Sequence, residues 1–377
     1  MTIQRRQFLR RSAAAGAAAL GLPALAQPEN KIVLGQSAAF SGPAAQLGIQ
    51  MNAGARLYFD KVNAAGGVNG RLIELRTLDD GYEPERCKAN TEALIKAEVF
   101  SLFGYVGTPT SLAALPLVNA AQVPFFGPFT GAEALRDPFS RWVFHVRASY
   151  FDETAAIVRQ LTTLGQKKIA VFRQDDSYGQ AGFDGVVRAL KKQELAPHAV
   201  GMVKRNTVDV AEAVKTIVPT QPDAVVMISA YKSCAAFIRA ARAAGFAGSF
   251  FNVSFVGTQA LADELGADAR GVMISQVMPS PFSAALPISR EYLEAVADAK
   301  DAKSNYSSIE GYVAARVFTE GLRRAGRTLT RASLVNALES MEDVNIGGFL
   351  VSYGPRRHVA STYVDLTMLG ADGKPRR

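Results

Sequence analysis

From residue 31 onward, short runs of apolar β-branched and aromatic residues alternate with stretches whose apolar positions recur every three or four residues. Lys31-Ile32-Val33-Leu34-Gly35 reads as a buried strand, and Met51, Ala55, Tyr58, Phe59 and Val62 then fall on one face of a helix. Leu72–Leu78, Val99–Val106 and Val123–Gly127 read as further strands separated by helix-length segments. A second series begins after Trp142-Val143-Phe144-His145-Val146. It places strands at 168–172, 199–203, 224–229 and 249–253, and helices at 183–190 and 232–244, with Ile157, Val158, Leu161 and Leu164 as a further helical stripe. Alternating strands and helices predict right-handed βαβ units around a parallel sheet covered on both faces. The fold class expected is α/β, with two lobes that each hold a Rossmann-like parallel sheet.

The C-terminal part reads differently. Val272–Val277 predicts a strand, Ser307-Ser308-Ile309-Glu310 a capping box opening a helix through Arg323, and Arg331–Met341 a shorter helix. Phe349–Tyr353 and Ser361–Leu369 alternate like an antiparallel pair turning at Gly354-Pro355. No low-complexity linker separates the lobes, so the chain is expected to cross a hinge more than once.

Charge first suggests a nucleic-acid partner: 42 basic against 34 acidic residues among 377 give +8. Four of those basic residues, Arg5, Arg6, Arg10 and Arg11, precede an apolar run from Ala13 to Leu25 that ends in Ala24-Leu25-Ala26. The run is shorter than the roughly 20 residues that span a bilayer. Residues 1–26 therefore read as a cleaved export signal and not as an anchor. Arg5-Arg6-Gln7-Phe8-Leu9-Arg10 resembles a twin-arginine signal, with an ordinary Sec signal as the alternative. Beyond it the chain carries only +4, scattered and without aromatic interleaving, so neither nucleic acid nor a stable membrane anchor is expected.

Chemistry that would mark an enzyme is missing. There is no phosphate-binding G-x-x-x-x-G-K-[ST], no G-x-G-x-x-G after a strand, no G-x-S-x-G, no H-E-x-x-H and no C-x-x-C. His145, His198 and His358 form no metal-ligand spacing, and two cysteines are too few for a thiolate cage. No catalytic residue, metal or cofactor is expected. Adjacent Asp79 and Asp80 point to opposite faces of a strand end and read as loop caps, His145 as a satisfied buried histidine, and Cys87 and Cys234 as free thiols in different lobes. What remains is a set of Gly, Thr, Ser and Pro turns after strands: Gly104-Tyr105-Val106-Gly107-Thr108-Pro109-Thr110-Ser111 and Gly127-Pro128-Phe129-Thr130-Gly131-Ala132. At the carboxyl ends of an open α/β sheet, such turns offer hydroxyls and helix N-termini to an anion, or serve only as caps.

Ser41-Gly42-Pro43, Asn63-Ala64-Ala65-Gly66-Gly67-Val68-Asn69-Gly70, Asp79-Asp80 and Asp176-Ser177-Tyr178-Gly179 follow successive elements in an order that resembles the solute-binding proteins of branched-chain amino-acid-type ABC importers. The resemblance runs from about Lys31 to about Gly373. It implies a type 1 periplasmic binding protein with a three-crossover hinge, an N-terminal lobe of residues 30–147 and 276–357, and a C-terminal lobe of residues 148–275 and 358–377. It also implies a periplasmic monomer that binds a small carboxylate-bearing solute, whether amino acid, organic or aromatic acid or amide, and delivers it to ABC permease subunits in the membrane. A sensory binding protein of the same fold is the alternative.

Carried over by position, the resemblance implies that Thr108 binds the ligand carboxylate, that Phe129 and Thr130 (or Gly131) add backbone and hydroxyl groups, and that Tyr178 and Tyr231 cover the ligand from the second lobe. The family's acid that pairs a ligand ammonium is replaced by Ser254, and a first-lobe Tyr by Leu47. An α-amino acid would then need another carboxylate, Asp176 or Glu310, and Phe129 suits an apolar or aromatic ligand body. The disulfide of some members has no counterpart, its positions matching roughly Tyr82 and Gly107.

Overall fold

A computed structural model describes residues 31–376; the export signal lies outside the described residues. The first series runs β1 (Lys31–Ala38), α1 (Ala45–Ala64), β2 (Leu72–Asp79), α2 (Pro84–Lys96), β3 (Ser101–Phe103), α3 (Thr108–Ala121), β4 (Phe125–Phe126) and β5 (Val143–Phe144). Its strands form one parallel sheet in the order β2-β1-β3-β4-β5. The strands predicted at 99–106 and 123–127 are cut short because Gly104 and Gly127 turn to φ of 63° and 61°, where a strand cannot continue.

The second series runs α4 (Tyr150–Thr163), β6 (Ile169–Gln174), α5 (Ser177–Lys191), β7 (Val200–Val203), α6 (Ala211–Ile217), β8 (Ala224–Ile228), α7 (Tyr231–Ala243), β9 (Ser249–Asn252), α8 (Thr258–Leu265) and β10 (Met273–Gln276). Every residue of β8, Ala-Val-Val-Met-Ile, is buried, as a central strand covered by helices on both faces requires. After β10 the chain returns to the first lobe as α9 (Pro287–Asp298), α10 (Tyr306–Ala325), α11 (Arg331–Glu339), β11 (Val344–Ile346) and β12 (Phe349–Val351). It crosses a last time to β13 (Asp365–Leu369) and β14 (Pro375–Arg376), which complete the sheet β14-β13-β10-β9-β8-β6-β7. The expected α/β architecture of two lobes with parallel-sheet cores, linked by three chain crossings, is thus present.

Helix α10 lies directly on α1. A Cβ at Gly54 would sit 1.7 Å from the Ser308 carbonyl oxygen, and one at Gly311 2.1 Å from that of Met51, so only glycine permits this approach. That contact holds the buried face of α10, including Glu310, against the first lobe.

Two details of the C-terminal reading are corrected. Asn305, not Ser307, caps α10, its side-chain oxygen accepting from the Ser308 N–H at 2.8 Å. Phe349–Val351 pairs with β11 across a Gly347-Gly348 turn, while Asp365–Leu369 pairs antiparallel with β10 in the other lobe. The intervening residues are spent on the crossing: His145 N–H donates to the His358 carbonyl (2.8 Å), and the His145 carbonyl accepts from Ala360 N–H (2.9 Å) and Tyr353 OH (3.0 Å). This ties the first and third crossings side by side. Among the described residues no helix is long and apolar enough to cross a membrane.

Candidate functional site

The turn after β2 is built first. Asp79 accepts from the N–H groups of Phe40, Ser41 and Gly81, from the Ser41 hydroxyl and from Arg86. Burial opposes ionisation of Asp79, but these donors outweigh it and hold the carboxyl at about 2. Asp80 accepts from Ser37 Oγ and Tyr82 N–H, each at 2.8 Å, and burial raises it to about 6. The two acids work as caps, as their spacing indicated, and they set Tyr82 at φ 64°. The Tyr82 ring closes on Gly107, where an added Cβ would lie 2.2 Å from Cε2. The two positions matched to the family disulfide are therefore neighbours, with an aromatic ring between lobes in place of a bridge.

Gly107 precedes α3 and supplies no side-chain cap to its first-turn N–H groups. Thr108, the first residue of α3, places its hydroxyl 2.6 Å from that of Thr130, which also lies 3.3 Å from Tyr150 OH. These two expected residues, 22 positions apart, are brought together. The N–H groups of Phe129 and Thr130 are already committed to the Tyr105 and Pro128 carbonyls, and the Gly131 carbonyl to Tyr150 N–H. The turn then presents the Phe129 ring, the Gly131 N–H and the Thr130 hydroxyl, the last already shared with Thr108, Tyr150 and the Ala132 N–H.

Tyr178 enters from the second lobe at the start of α5, where Asp176 caps the helix by accepting from Tyr178 N–H at 2.9 Å. Its ring is fully buried, 5.5 Å from Tyr150 and 4.5 Å from Phe255, and its hydroxyl has no hydrogen-bond partner. Phe255 in turn lies 5.7 Å from Phe129 and 5.9 Å from Tyr82, so one second-lobe ring fills an aromatic socket made by both lobes. Tyr231 meets the first lobe at α1, accepting at 3.5 Å from Gln46 N–H. Leu47 also faces the second lobe: a Cβ on Gly257 would lie 2.4 Å from Leu47 Cδ2.

Ser254 sits beside charges that sequence reasoning missed. Its N–H and hydroxyl donate to Glu153 at 2.7 and 3.0 Å, its oxygen accepts from Arg147, and Ser275 Oγ donates to the same carboxylate at 2.6 Å. Arg147 is wholly buried, with its guanidinium carbon 4.6 Å from the Phe129 ring centroid, 3.9 Å from Glu153 to one nitrogen and 3.5 Å from Glu310 to another. Burial pushes Glu153 upward against the pull of Arg147 and its three donors, and burial raises Glu310 to about 7. Of the two acids considered as stand-ins near Ser254, Asp176 is engaged by Arg205 (3.2 Å) and the α5 cap, whereas Glu310 lines a void of about 10 Å³ with Ser254 and Phe129. One signal for Glu153 was available, since it lies four positions before Ile157 on the apolar stripe of α4. For Arg147 the only signal was a charge ending an apolar run.

A larger cavity of about 220 Å³ opens between the lobes beside Thr108, lined among others by Leu112, Glu133, Phe151, Ser177 and Gln180. Among the described residues no three His, Cys, Asp or Glu side chains are grouped to hold a metal. Cys87 and Cys234 are buried free thiols, one on α2 and one on α7. His145 is buried at the crossing with Nε2 3.1 Å from the Leu135 carbonyl, while Nδ1 has no partner. Burial holds it neutral, well below the usual histidine range.

Comparison with known proteins now bears on this arrangement. A family model described as "Periplasmic binding protein" matches residues 31–374. A Leu/Ile/Val-binding protein homolog 7 of Brucella abortus is 28% identical over 346 residues, covering 86% of this chain and 84% of that protein. Among solved structures, a possible leucine/isoleucine/valine-binding protein from Rhodopirellula baltica superposes with TM-score 0.89 at 37% identity, covering 93% of this chain and 98% of that one. A substrate-binding periplasmic protein from Ralstonia solanacearum gives 0.86 at 33% identity, covering 91% and 99%.

Proposed function

The chain belongs to the periplasmic binding protein family, and from that premise we propose that it is the extracytoplasmic receptor of an ABC importer, taking a small carboxylate-bearing solute between its lobes and presenting it to a membrane permease. It is a solute-binding protein rather than an enzyme. The observation that carries the carboxylate reading is the start of α3: a 14-residue helix whose first turn has no side-chain cap, flanked by the paired hydroxyls of Thr108 and Thr130. Uncapped N–H groups at the positive end of a helix favour an anionic oxygen. In this reading the carboxylate docks there, the Phe129 and Tyr178 rings bound the ligand body, and second-lobe contacts draw the lobes together by differential affinity. The twin-arginine-like segment at Arg5-Arg6 supplies the export route.

The test is thermal stabilisation of ligand-stripped protein by a panel of amino acids, aromatic acids, dicarboxylates and amides. A true ligand at a hundred times its Kd stabilises the fold by about 2.7 kcal/mol. Thr108→Ala is expected to weaken the best compound at least tenfold in calorimetry, the loss of roughly one charge-assisted hydrogen bond. A panel with no stabilising member, or a best compound indifferent to Thr108→Ala, overturns the proposal.

A further inference from the structure

We infer that Glu310, on first-lobe helix α10, is the specificity-determining charge of the cleft: it receives a protonated amine of the ligand opposite Ser254. This rests on the reading above, in which the ligand's carboxylate lies at α3.

The argument is one of charge balance in a buried place. Arg147, Glu153 and Glu310 are all essentially removed from solvent. Glu153 is engaged as an acceptor by Ser254 N–H, Ser254 Oγ and Ser275 Oγ. Its charge is matched by Arg147 at 3.9 Å. Glu310 has no such set of donors, and its one ion-pair contact within 4 Å among the described residues is Arg147 Nε at 3.5 Å. Within 4 Å the two carboxylates share one guanidinium. The next buried cation, Arg136, is itself faced by Glu133 and Asp152, so the cluster is left with an excess negative charge, which is costly in a low-dielectric site unless a proton or a cation joins it. The void of about 10 Å³ that Glu310 shares with Phe129, Ser254, Gln276 and Met278 has room for about one water, so the lobes must part to admit any larger group.

The proton ledger follows. In the empty cleft below pH 7 Glu310 holds a proton, and the cluster of Arg147⁺, Glu153⁻ and neutral Glu310 sums to zero. When an ammonium docks, Glu310 releases its proton to solvent, and two cations then face two carboxylates, again summing to zero. Burial holding Glu310 near 7 puts this exchange within the range where it is measurable. The other charged groups acting on Glu310 are Glu153 on α4 and Arg136, which lies beyond the Leu135 turn; Tyr150 and Tyr178 face Arg147 and stay protonated because burial raises both.

The experiment uses paired probes that differ only in the amine: L-leucine and 4-methylpentanoate, L-phenylalanine and 3-phenylpropanoate, L-aspartate and succinate. Each is titrated calorimetrically into full-length mature protein from pH 5.5 to 8.5, in buffers of differing ionisation enthalpy. The expected result is that an amine-bearing member binds at least tenfold tighter than its partner. Its binding should release close to one proton below pH 7, with affinity falling about tenfold per pH unit there and levelling above. Glu310→Gln should weaken that compound at least tenfold and flatten its pH profile. The proton count is read on wild-type protein, so it stands whether or not the variant folds. A better-binding member without an amine, uptake instead of release of a proton, or a Glu310→Gln profile like wild type overturns this inference and leaves the carboxylate reading intact. Binding of no member of any pair removes that reading as well.

Discussion

Arg205 of the second lobe places a guanidinium nitrogen 2.9 Å from the Glu83 carboxylate of the first, while its other terminal nitrogen lies 3.2 Å from Asp176. Asn206 adds a 2.7 Å hydrogen bond to the same Glu83 and another to the Gly81 carbonyl. The rim of the cleft is thus latched by partly exposed charges. An exposed pair of this kind contributes about 0–1 kcal/mol and is screened by salt. Arg205→Ala is therefore expected to raise the dissociation rate of the best-binding panel compound about two- to fivefold at 50 mM NaCl, with the difference nearly gone at 500 mM. Stopped-flow displacement reads this, and a salt-independent effect would show that the latch is not electrostatic.

Phe255 acts differently, because its ring is fully buried between Tyr82 and Phe129 of one lobe and Tyr178 of the other. Truncating a buried phenylalanine costs about 3–5 kcal/mol where the surroundings cannot collapse. Phe255→Ala should lower stability in urea unfolding by an amount toward that range and open the lobes. Small-angle scattering should then report a larger radius of gyration for the ligand-free variant. Unchanged stability and unchanged radius together would mean that the socket does not hold the lobes closed.

Asp80 gives a pH prediction with a definite sign. Burial raises its folded-state value to about 6 from an ordinary 3.8, so the folded protein holds this proton more tightly than the unfolded chain does. The stability it contributes is fully present below about pH 4 and is lost as pH rises through 6. Asp80→Asn keeps an oxygen to accept from Ser37 and Tyr82 while removing the buried charge. It is expected to abolish that segment of the pH profile and to be about 1–3 kcal/mol more stable than wild type at pH 7. Denaturant titrations at pH 4, 5, 6 and 7 measure both, and a variant less stable at pH 7 would mean that the charge itself stabilises the turn.

Much of this fold was legible along the chain because its signals are local. Strand and helix periods, the Gly turns that end β3 and β4, and the local caps by which Asp79 accepts from Gly81 N–H and Asp80 from Tyr82 N–H depend on neighbours a few residues away. The turns holding Thr108 and Thr130 could be picked because each follows a strand end, where the topology of a parallel sheet gathers loops on one edge, whereas the two threonines themselves were singled out by the family resemblance. The partner of β12 was not legible. An alternating pattern states that a strand has two unlike faces and says nothing of which neighbour it joins, and the residues that looked like a hairpin turn are consumed by a crossing between lobes.

The charge at the heart of the cleft was less legible still. Arg147, Glu153, Ser254, Ser275 and Glu310 come from the first crossing, α4, the turn after β9, β10 and α10, and no spacing relates them. The sequence by itself determined the two-lobed α/β architecture and a hinge crossed more than once, since each follows from short-range pattern and chain order, while the number of crossings, three, was implied only by the family resemblance. Only the tertiary structure decided that Ser254 lies beside Glu153 and Glu310 around one buried arginine. Burial and distance set the cost and the pairing of charge, and both exist only once the lobes are packed together.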